Sequence, residues 1–466
     1  MSEMRETIER DARGRPTGGD RGKGTRRRLL GAAPAVSAMP VALAVGCTMG
    51  AGRSGAGEQG AAPALKAGST IVFWNDMTGA YPGLMQRWGD AFRERTRVQV
   101  EVTGGIAGYA DKLASSFASG APPDVFRYLQ EGTPLPAAVE RGMLLKLDAQ
   151  VKRDKYDLSD FRKDAVELYR WKGTLYAIPR DYGLQLVYYN TEVFQREGLP
   201  PIPTDWNDKT WTMQRFVETC VRLARSGERH ALFVPRGPRL WASFVYSNGG
   251  QVVKHNQEGL ATEFALAERP AVEALQLMQD LIYRHKVAPE PGQEGALGTA
   301  VTLMQSGKLA MQITNPSANV NYLTAGMPYD VGVFPLGAAS RRGVGGGGTG
   351  WAVAAPTKVA DEAWAFVASI TSREGQLGEV EIGQTTPSRV SVVTGKEYLD
   401  PTTPPAGKRV FADGQEYVVR DPVHSRWPDV QRDVVTKLLD QQLWTGQLSA
   451  AQVLKEVKEK GDPYFT

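Results

Sequence analysis

The sequence predicts an α/β fold in two lobes, and three observations carry that expectation. The chain has 466 residues, more than the roughly 250–300 that a single hydrophobic core organises. From residue 69 onward, strand-like and helix-like stretches alternate, the order that builds a mostly parallel sheet. Between 176 and 190 the sequence reads YAIPRDYGLQLVYYN. This is an apolar strand whose middle is interrupted by Pro179, two charges, a phenol and Gly183. Proline removes a ladder donor and fixes φ, so no helix passes through. Such an interruption is expected where a chain leaves one sheet and enters another, with its polar centre facing a cleft.

Composition narrows the function. Residues 1–46 hold nine Lys/Arg and five Asp/Glu, which is the whole formal net charge of +4. The remainder is neutral, so the overall basicity argues for neither nucleic acid nor a membrane surface as partner. There are two cysteines, Cys47 and Cys220. Cys220 falls in an apolar-periodic helix over 213–225 and reads as a small buried hydrophobe.

Residues 1–46 read as an export leader rather than part of the fold. Thr25-Arg26-Arg27-Arg28-Leu29-Leu30 precedes a weakly apolar run broken by Pro34 and Pro40. That run is short of the roughly 20 apolar residues a spanning helix needs. The twin arginine resembles a twin-arginine export signal, and Ala44-Val45-Gly46-Cys47 resembles a bacterial lipobox with Cys47 as lipid anchor. Ala44 stands where leucine is preferred, and a cleaved soluble signal is the alternative. Residues 47–68, rich in Gly, Ala and Ser, fit a flexible tether.

In the folded part, Thr70-Ile71-Val72-Phe73-Trp74 is a buried strand and 84–95 an amphipathic helix with Leu84, Trp88 and Phe92 at four-residue steps. Val98 to Val102 alternates as a second strand; 109–119 is a helix closed by Gly120; Asp124-Val125-Phe126 is a third strand. Ligands of such sheets sit outside the carboxyl ends of the strands, where Trp74, Asn75, Asp76, Arg127 and Tyr128 fall. After the crossing, helices are expected over 192–197, 212–225, 270–285 and 299–306, strands over 231–234 and 309–313, and a helix or strand over 240–246. Asn315-Pro316 breaks the chain at a second return between lobes. Strands over 331–335 and 351–355 flank the glycine run 343–350; a helix follows over 361–372, then an irregular stretch from Gln376. Two helices, 429–444 and 450–460, close the chain, the second with Ser449 as N-cap.

The run Gly343-Val344-Gly345-Gly346-Gly347-Gly348 satisfies G-x-G-x-x-G, but it precedes a strand instead of opening a helix, so it is no dinucleotide fingerprint. A flexible loop at a cleft or hinge and a plain hairpin loop are the two readings. The four histidines lack metal-ligand spacing, and no G-x-S-x-G elbow occurs. No catalytic residue, metal or cofactor is assigned. Aromatic residues near strand ends and turns suit a sugar, whose C–H face they cover while Asp, Asn and Arg bond its hydroxyls. Trp74, Tyr128, Tyr182, Trp241 and Trp351 are the candidates, with core packing as the alternative for each. Asp181 is a candidate too, or else merely ion-paired with Arg180. Trp88, Trp206, Trp211 and Trp364 are assigned to packing.

Several stretches together resemble the extracellular solute-binding proteins of ABC importers, in particular the maltose-binding and related sugar-binding family. They are Ser119-Gly120-Ala121-Pro122-Pro123-Asp124-Val125, Gly142 to Asp148 (GMLLKLD), Gly173 to Pro179 (GTLYAIP) with Leu186 to Asn190 (LVYYN), Ser247-Asn248-Gly249-Gly250, Gly307 to Met311 (GKLAM) and Gly348 to Val353 (GTGWAV). The long glycine run before Trp351 departs from the pattern. The resemblance implies the two-lobe periplasmic-binding-protein fold, with ligand in a cleft between lobes and several crossover hinge segments. It places Asp124, Tyr182, Gly350 and Trp351 near the cleft and gives the 386–389 segment, with Arg389, a cleft-side role; Asn315 joins them at the second return.

The lobes are then expected as 69–179 with 318–372 and 180–317 with 373–466. The expected function is capture of a small-molecule solute, of carbohydrate type, outside the cell by a lipid-anchored monomer that is not an enzyme, touches the membrane only through its lipid and serves an ABC permease. An extracytoplasmic carbohydrate-active enzyme, or a receptor for a polyamine or ion, is the alternative.

Overall fold

The computed structural model describes residues 63–383 and 385–466. The leader, Cys47 and most of the tether lie outside the described residues. The first lobe is built on a five-stranded sheet in the order Gln99–Thr103, Thr70–Trp74, Val125–Tyr128, Gly350–Val353, Ala177–Pro179. The first three strands are parallel; Gly350–Val353 runs antiparallel to both its neighbours. Thr70–Trp74 is the expected buried strand: Ile71 and Phe73 are fully buried on one face while Thr70, Val72 and Trp74 are half-buried on the other. The helix Tyr81–Thr96 starts with Pro82 in its first turn, where a missing N–H costs nothing. It buries Leu84, Met85 and Phe92 against the sheet, and ends where Arg97 turns left-handed at φ 61°.

The second lobe has its own core around a three-stranded antiparallel sheet in the order Met311–Thr314, Leu186–Asn190, Tyr329–Gly332. The helix Met213–Ala224, capped by the Thr212 side chain accepting from Arg215 N, lays Phe216, Cys220 and Leu223 on this core. Cys220 is fully buried and free, and burial pushes its thiol pKa up. Arg342 is 1 % exposed and is satisfied by backbone carbonyls: those of Phe334 at 2.6 Å, Trp206 at 2.7 Å, Asp208 at 2.6 Å and Trp211 at 3.0 Å. Four of its five N–H donors are used in this way, which offsets much of the cost of burying a guanidinium.

Two strands side by side connect the lobes. The outgoing chain leaves the first sheet at Pro179, which pairs with Gly350, and passes Gly183, which pairs with Gly347, before entering the second sheet. The returning chain runs through Val344–Gly347 into Gly350–Val353. A third segment lies against them, with Asp181 bridged to Pro387 and Val418–Val419 paired parallel to Val344 and Gly345.

Several expectations change. The glycine run sits at the cleft, but Val344–Gly347 of it is a buried strand instead of a loop, because other backbone packs against the run too closely for side chains. A Cβ on Gly348 would overlap the Asp181 carbonyl oxygen, and one on Gly345 the backbone of Arg239. The lobe boundaries move as well. Tyr322, Tyr329, Val331, Phe334 and Val344 belong to the second core, so the return falls near Gly350, not at 318. Residues from 373 do not start the second lobe. The helix Arg373–Glu381 sends Glu379 to Arg180, and Arg389 pairs with Asp160, both on the first lobe; Val410 and Phe411 are the first residues back in the second core. Residues 231–234 form no ladder strand beyond a bridge from His230 to Leu309, and 240–246 lies in the helix Pro238–Ser247.

Candidate functional site

A cleft of about 1210 Å³ lies between the lobes. One wall comes from the first lobe, through the loop 130–136 and the hairpin around Trp171-Lys172-Gly173. The other comes from the second lobe, through Gly237 to Leu240, Glu258-Gly259 and residues between 420 and 436. The floor is made of Gly346, Gly347 and Gly348 with Gln185 and Asn315. Gln185 is 4 % exposed and its Oε1 has no hydrogen-bond partner among the described residues. A buried amide oxygen without a partner costs about 1–3 kcal/mol.

Each wall carries one half-buried tryptophan. Trp171 ends a two-residue strand before a tight turn at Lys172 (φ 48°) and Gly173 (φ 82°). Trp427 opens a short helix with Pro428 and leans on Phe264, ring centroids 6.1 Å apart. Some charges of the cleft are paired, while Asp111, Lys172, Glu258 and Arg420 have no ion-pair partner among the described residues. Arg170 meets Asp148 at 3.3 Å and Glu167 at 3.5 Å; Arg432 meets Asp429 at 3.1 Å and Asp433 at 2.7 Å. Arg239 grips Asp421 through Nε at 2.9 Å and Nη2 at 2.5 Å, and its Nη1 reaches Glu131 at 2.7 Å.

Of the residues expected to meet ligand, Asn315 lines this cleft; its Oδ1 accepts from Ser317 N at 3.0 Å. The others hold the frame. Asp124 accepts from Val72 N at 2.8 Å and Thr357 Oγ1 at 2.5 Å, tying strand ends together. Asn75 is fully buried and accepts from Met77 N at 2.9 Å. Asp76 and Arg127 pair with one another at 2.5 Å, and the Trp74 carbonyl accepts from Tyr109 at 3.3 Å. Tyr128 is buried and donates to Thr133 O at 2.8 Å, shaping the loop that carries Glu131. Tyr182, Trp241 and Trp351 are each at most 1 % exposed, and Trp351 packs edge-on against Phe73 at 5.0 Å. Gly350 lies beneath the Tyr169 ring. Arg389 donates to Thr371 O at 2.6 Å and to Asp160 at 3.0 Å. Tyr182, Trp241 and Trp351 share one physical cause: an aromatic ring beside a strand end buries more area by turning into its own core than by facing the cleft.

Asp181 belongs to a buried charge cluster rather than to the cleft lining. Arg180, 3 % exposed, donates Nη1 to Asp181 at 2.5 Å and Nε to Glu379 at 3.0 Å, and also bonds the Tyr81 hydroxyl. Asp181 in turn accepts from Thr349 N at 2.5 Å and Thr385 Oγ1 at 3.2 Å. Two carboxylates thus share one guanidinium. Burial, opposed by Arg180 and reinforced by Asp181, pushes Glu379 up to about 7. Burial works against the charge of Arg180, but Glu379, Tyr81 and Asp181 together hold it firmly protonated.

Trp171, Trp427, Arg239, Glu131 and Gln185 are what sequence reading missed. A tryptophan beside a Lys-Gly turn and another before a proline were the available signals.

A two-lobe α/β protein whose crossing strands floor an interlobe cleft is a solute-binding protein by architecture. Residues 87–406 match the model of the bacterial extracellular solute-binding protein family, more than half of the chain, and the chain belongs to that family. Among curated relatives, the lactose-binding protein of Rhizobium radiobacter is 25 % identical over 281 residues, covering 58 % of this chain and 63 % of that protein. The sn-glycerol-3-phosphate-binding periplasmic protein UgpB of Brucella abortus (strain 2308) is 22 % identical over 303 residues, covering 61 % and 66 %. The matches thus span less than two thirds of these relatives. Among solved structures, the substrate-binding protein Lmo0181 of Listeria monocytogenes in complex with cycloalternan has a TM-score of 0.74 at 20 % identity, covering 85 % of this chain and 98 % of that one. UgpB of Mycobacterium tuberculosis in complex with glycerophosphocholine has 0.71 at 18 %, covering 84 % and 98 %. Among the described residues no helix is long and apolar enough to cross a membrane, and no group of His, Cys, Asp and Glu could hold a metal ion.

Proposed function

We propose that the chain is the extracytoplasmic substrate-binding component of an ABC importer. It captures a sugar or oligosaccharide by hinge closure and presents it to a membrane permease. The observation that carries this reading is the cleft itself. A tryptophan on each lobe lines it, the residue type that stacks on a sugar ring, while Arg170, Arg239 and Arg432 already hold carboxylates and leave Arg420 and Lys172 as its cations without an ion pair among the described residues. Its volume of about 1210 Å³ exceeds the roughly 300–1,000 Å³ of small-molecule pockets, which suits an oligosaccharide. A lactose-binding relative and a structural neighbour in complex with cycloalternan point the same way, while the UgpB relatives are named for sn-glycerol 3-phosphate. Solute that touches both walls favours the closed form, and no bond is made or broken. For a disaccharide, about 0.3 kcal/mol per heavy atom gives about 7 kcal/mol, or a dissociation constant on the order of 10 μM. We further propose that the protein works as a monomer held to the membrane by lipid on Cys47, after export through its twin-arginine leader.

A thermal-shift series with lactose, maltotriose, sn-glycerol 3-phosphate and spermidine tests the reading. A sugar at 100 times its dissociation constant adds about 2.7 kcal/mol of stability. Stabilisation by glycerol phosphate or spermidine with no response to sugars would replace this solute class, and turnover of a glycan would replace the receptor.

A further inference from the structure

We propose that Glu131 and Arg239 form a latch across the cleft, an ion pair that exists only when the lobes are together and that sets the closed fraction of the solute-free protein. The proposal rests on the hinge-closing reading above and is independent of which solute is bound. Arg239 is rooted in the second lobe. It lies in the first turn of the helix Pro238–Ser247, its backbone packs on Gly345, and Asp421 of the same lobe engages its Nε and Nη2. Its direction is therefore fixed before the lobes meet, and Nη1 is the donor left over. Nη1 meets Glu131 at 2.7 Å, and Glu131 is on the first lobe.

The Glu131 loop is equally well held by its own lobe. Tyr128 donates to Thr133 O at 2.8 Å, Gln130 donates to Leu168 O at 2.7 Å, and Gly132 N donates to Leu129 O at 3.3 Å. Glu131 has no other ion-pair partner among the described residues. Two groups, each oriented by its own lobe and each short of one partner, complete one another only on closure. Their side chains are 26 % and 61 % exposed, so the pair is weak and open to screening by salt. A latch of this kind biases the resting equilibrium without locking it, and it leaves most of the closing free energy to the solute.

The measurement is the closed-to-open ratio without solute, by single-molecule energy transfer between dyes on Lys112→Cys and Gln257→Cys, one exposed site on each lobe, in a Cys47→Ser background. Cys220 is fully buried and stays unlabelled. In the protein with Glu131 intact, raising salt from 20 mM to 500 mM lowers the ratio, and Glu131→Gln lowers it roughly two- to five-fold at low salt while abolishing the salt response. Glu131→Asp keeps the charge and retains part of both effects. Glu131 is exposed, so these variants fold, and an unchanged melting temperature confirms it. A ratio that is the same with Glu and Gln at position 131, or a salt response that survives Glu131→Gln, overturns the latch.

Discussion

The two strands that join the lobes run side by side and are built in opposite ways. The outgoing one carries Arg180 and Asp181, whose side chains are bonded to Tyr81, Thr349, Glu379 and Thr385. The returning one carries Gly345 to Gly348, four consecutive residues without side chains. The difference shows where a hinge can bend. The charge cluster clamps the crossing to the first lobe, while the glycine strand lets second-lobe backbone pass within contact distance of it. Closure is therefore expected to pivot beyond Tyr182, around Gly183 and Gly347, with the cluster moving as part of the first lobe.

The comparison breaks most visibly at Arg180. Arg180→Ala leaves two carboxylates buried without their cation, and losing one partner of a buried pair costs about 3–5 kcal/mol. Urea unfolding at pH 8 checks this; a loss below about 1 kcal/mol would mean that the cluster does not clamp the crossing. The same site predicts a pH dependence. The folded-state pKa of Glu379 is raised to about 7, above the ordinary carboxylate value, so the folded state binds the proton more tightly than the unfolded one. Its contribution to stability is complete below about pH 4 and is lost as pH rises through about 7, on the order of 3 kcal/mol in all. Glu379→Gln, which keeps the shape and cannot ionise, flattens the profile between pH 5 and pH 8. The glycine strand breaks by addition rather than removal. Gly348→Ala drives a Cβ into the Asp181 carbonyl and costs about 1–3 kcal/mol, read from the same unfolding curves.

Much of this frame was legible beforehand. The apolar run 70–74, the alternation over 98–102, the four-residue steps of 84–95 and the Pro-Arg-Asp-Tyr-Gly interruption are local signals, and they appear as strands, a helix and a crossing. The lobe boundary was not legible, because the strand Tyr329–Gly332 has the same apolar pattern whichever sheet it joins. The glycine run was misread because its cause lies outside it, in the backbone of Arg239 and Asp181. The site was hardest to read. Trp171 and Trp427 sit at a turn and at the start of a four-residue helix, where periodicity is silent. Arg239 takes its role from Asp421, 182 residues away, and from the opposite lobe.

The smallest effect separates the cleft from the hinge. Trp171 and Trp427 touch their lobe cores with one part of the ring and line the cleft with the rest. Removing either takes away a stacking face for a sugar but leaves the crossing strands untouched. Trp171→Ala and Trp427→Ala are each expected to weaken sugar binding by about 1 kcal/mol, roughly five-fold, by isothermal titration. Trp351→Ala serves as the contrast: that ring is fully buried against Phe73 and Trp88, and its loss costs about 3–5 kcal/mol of stability. Sugar affinity unchanged in both cleft variants would remove the two tryptophans from the site, and with them the case for a sugar over another solute.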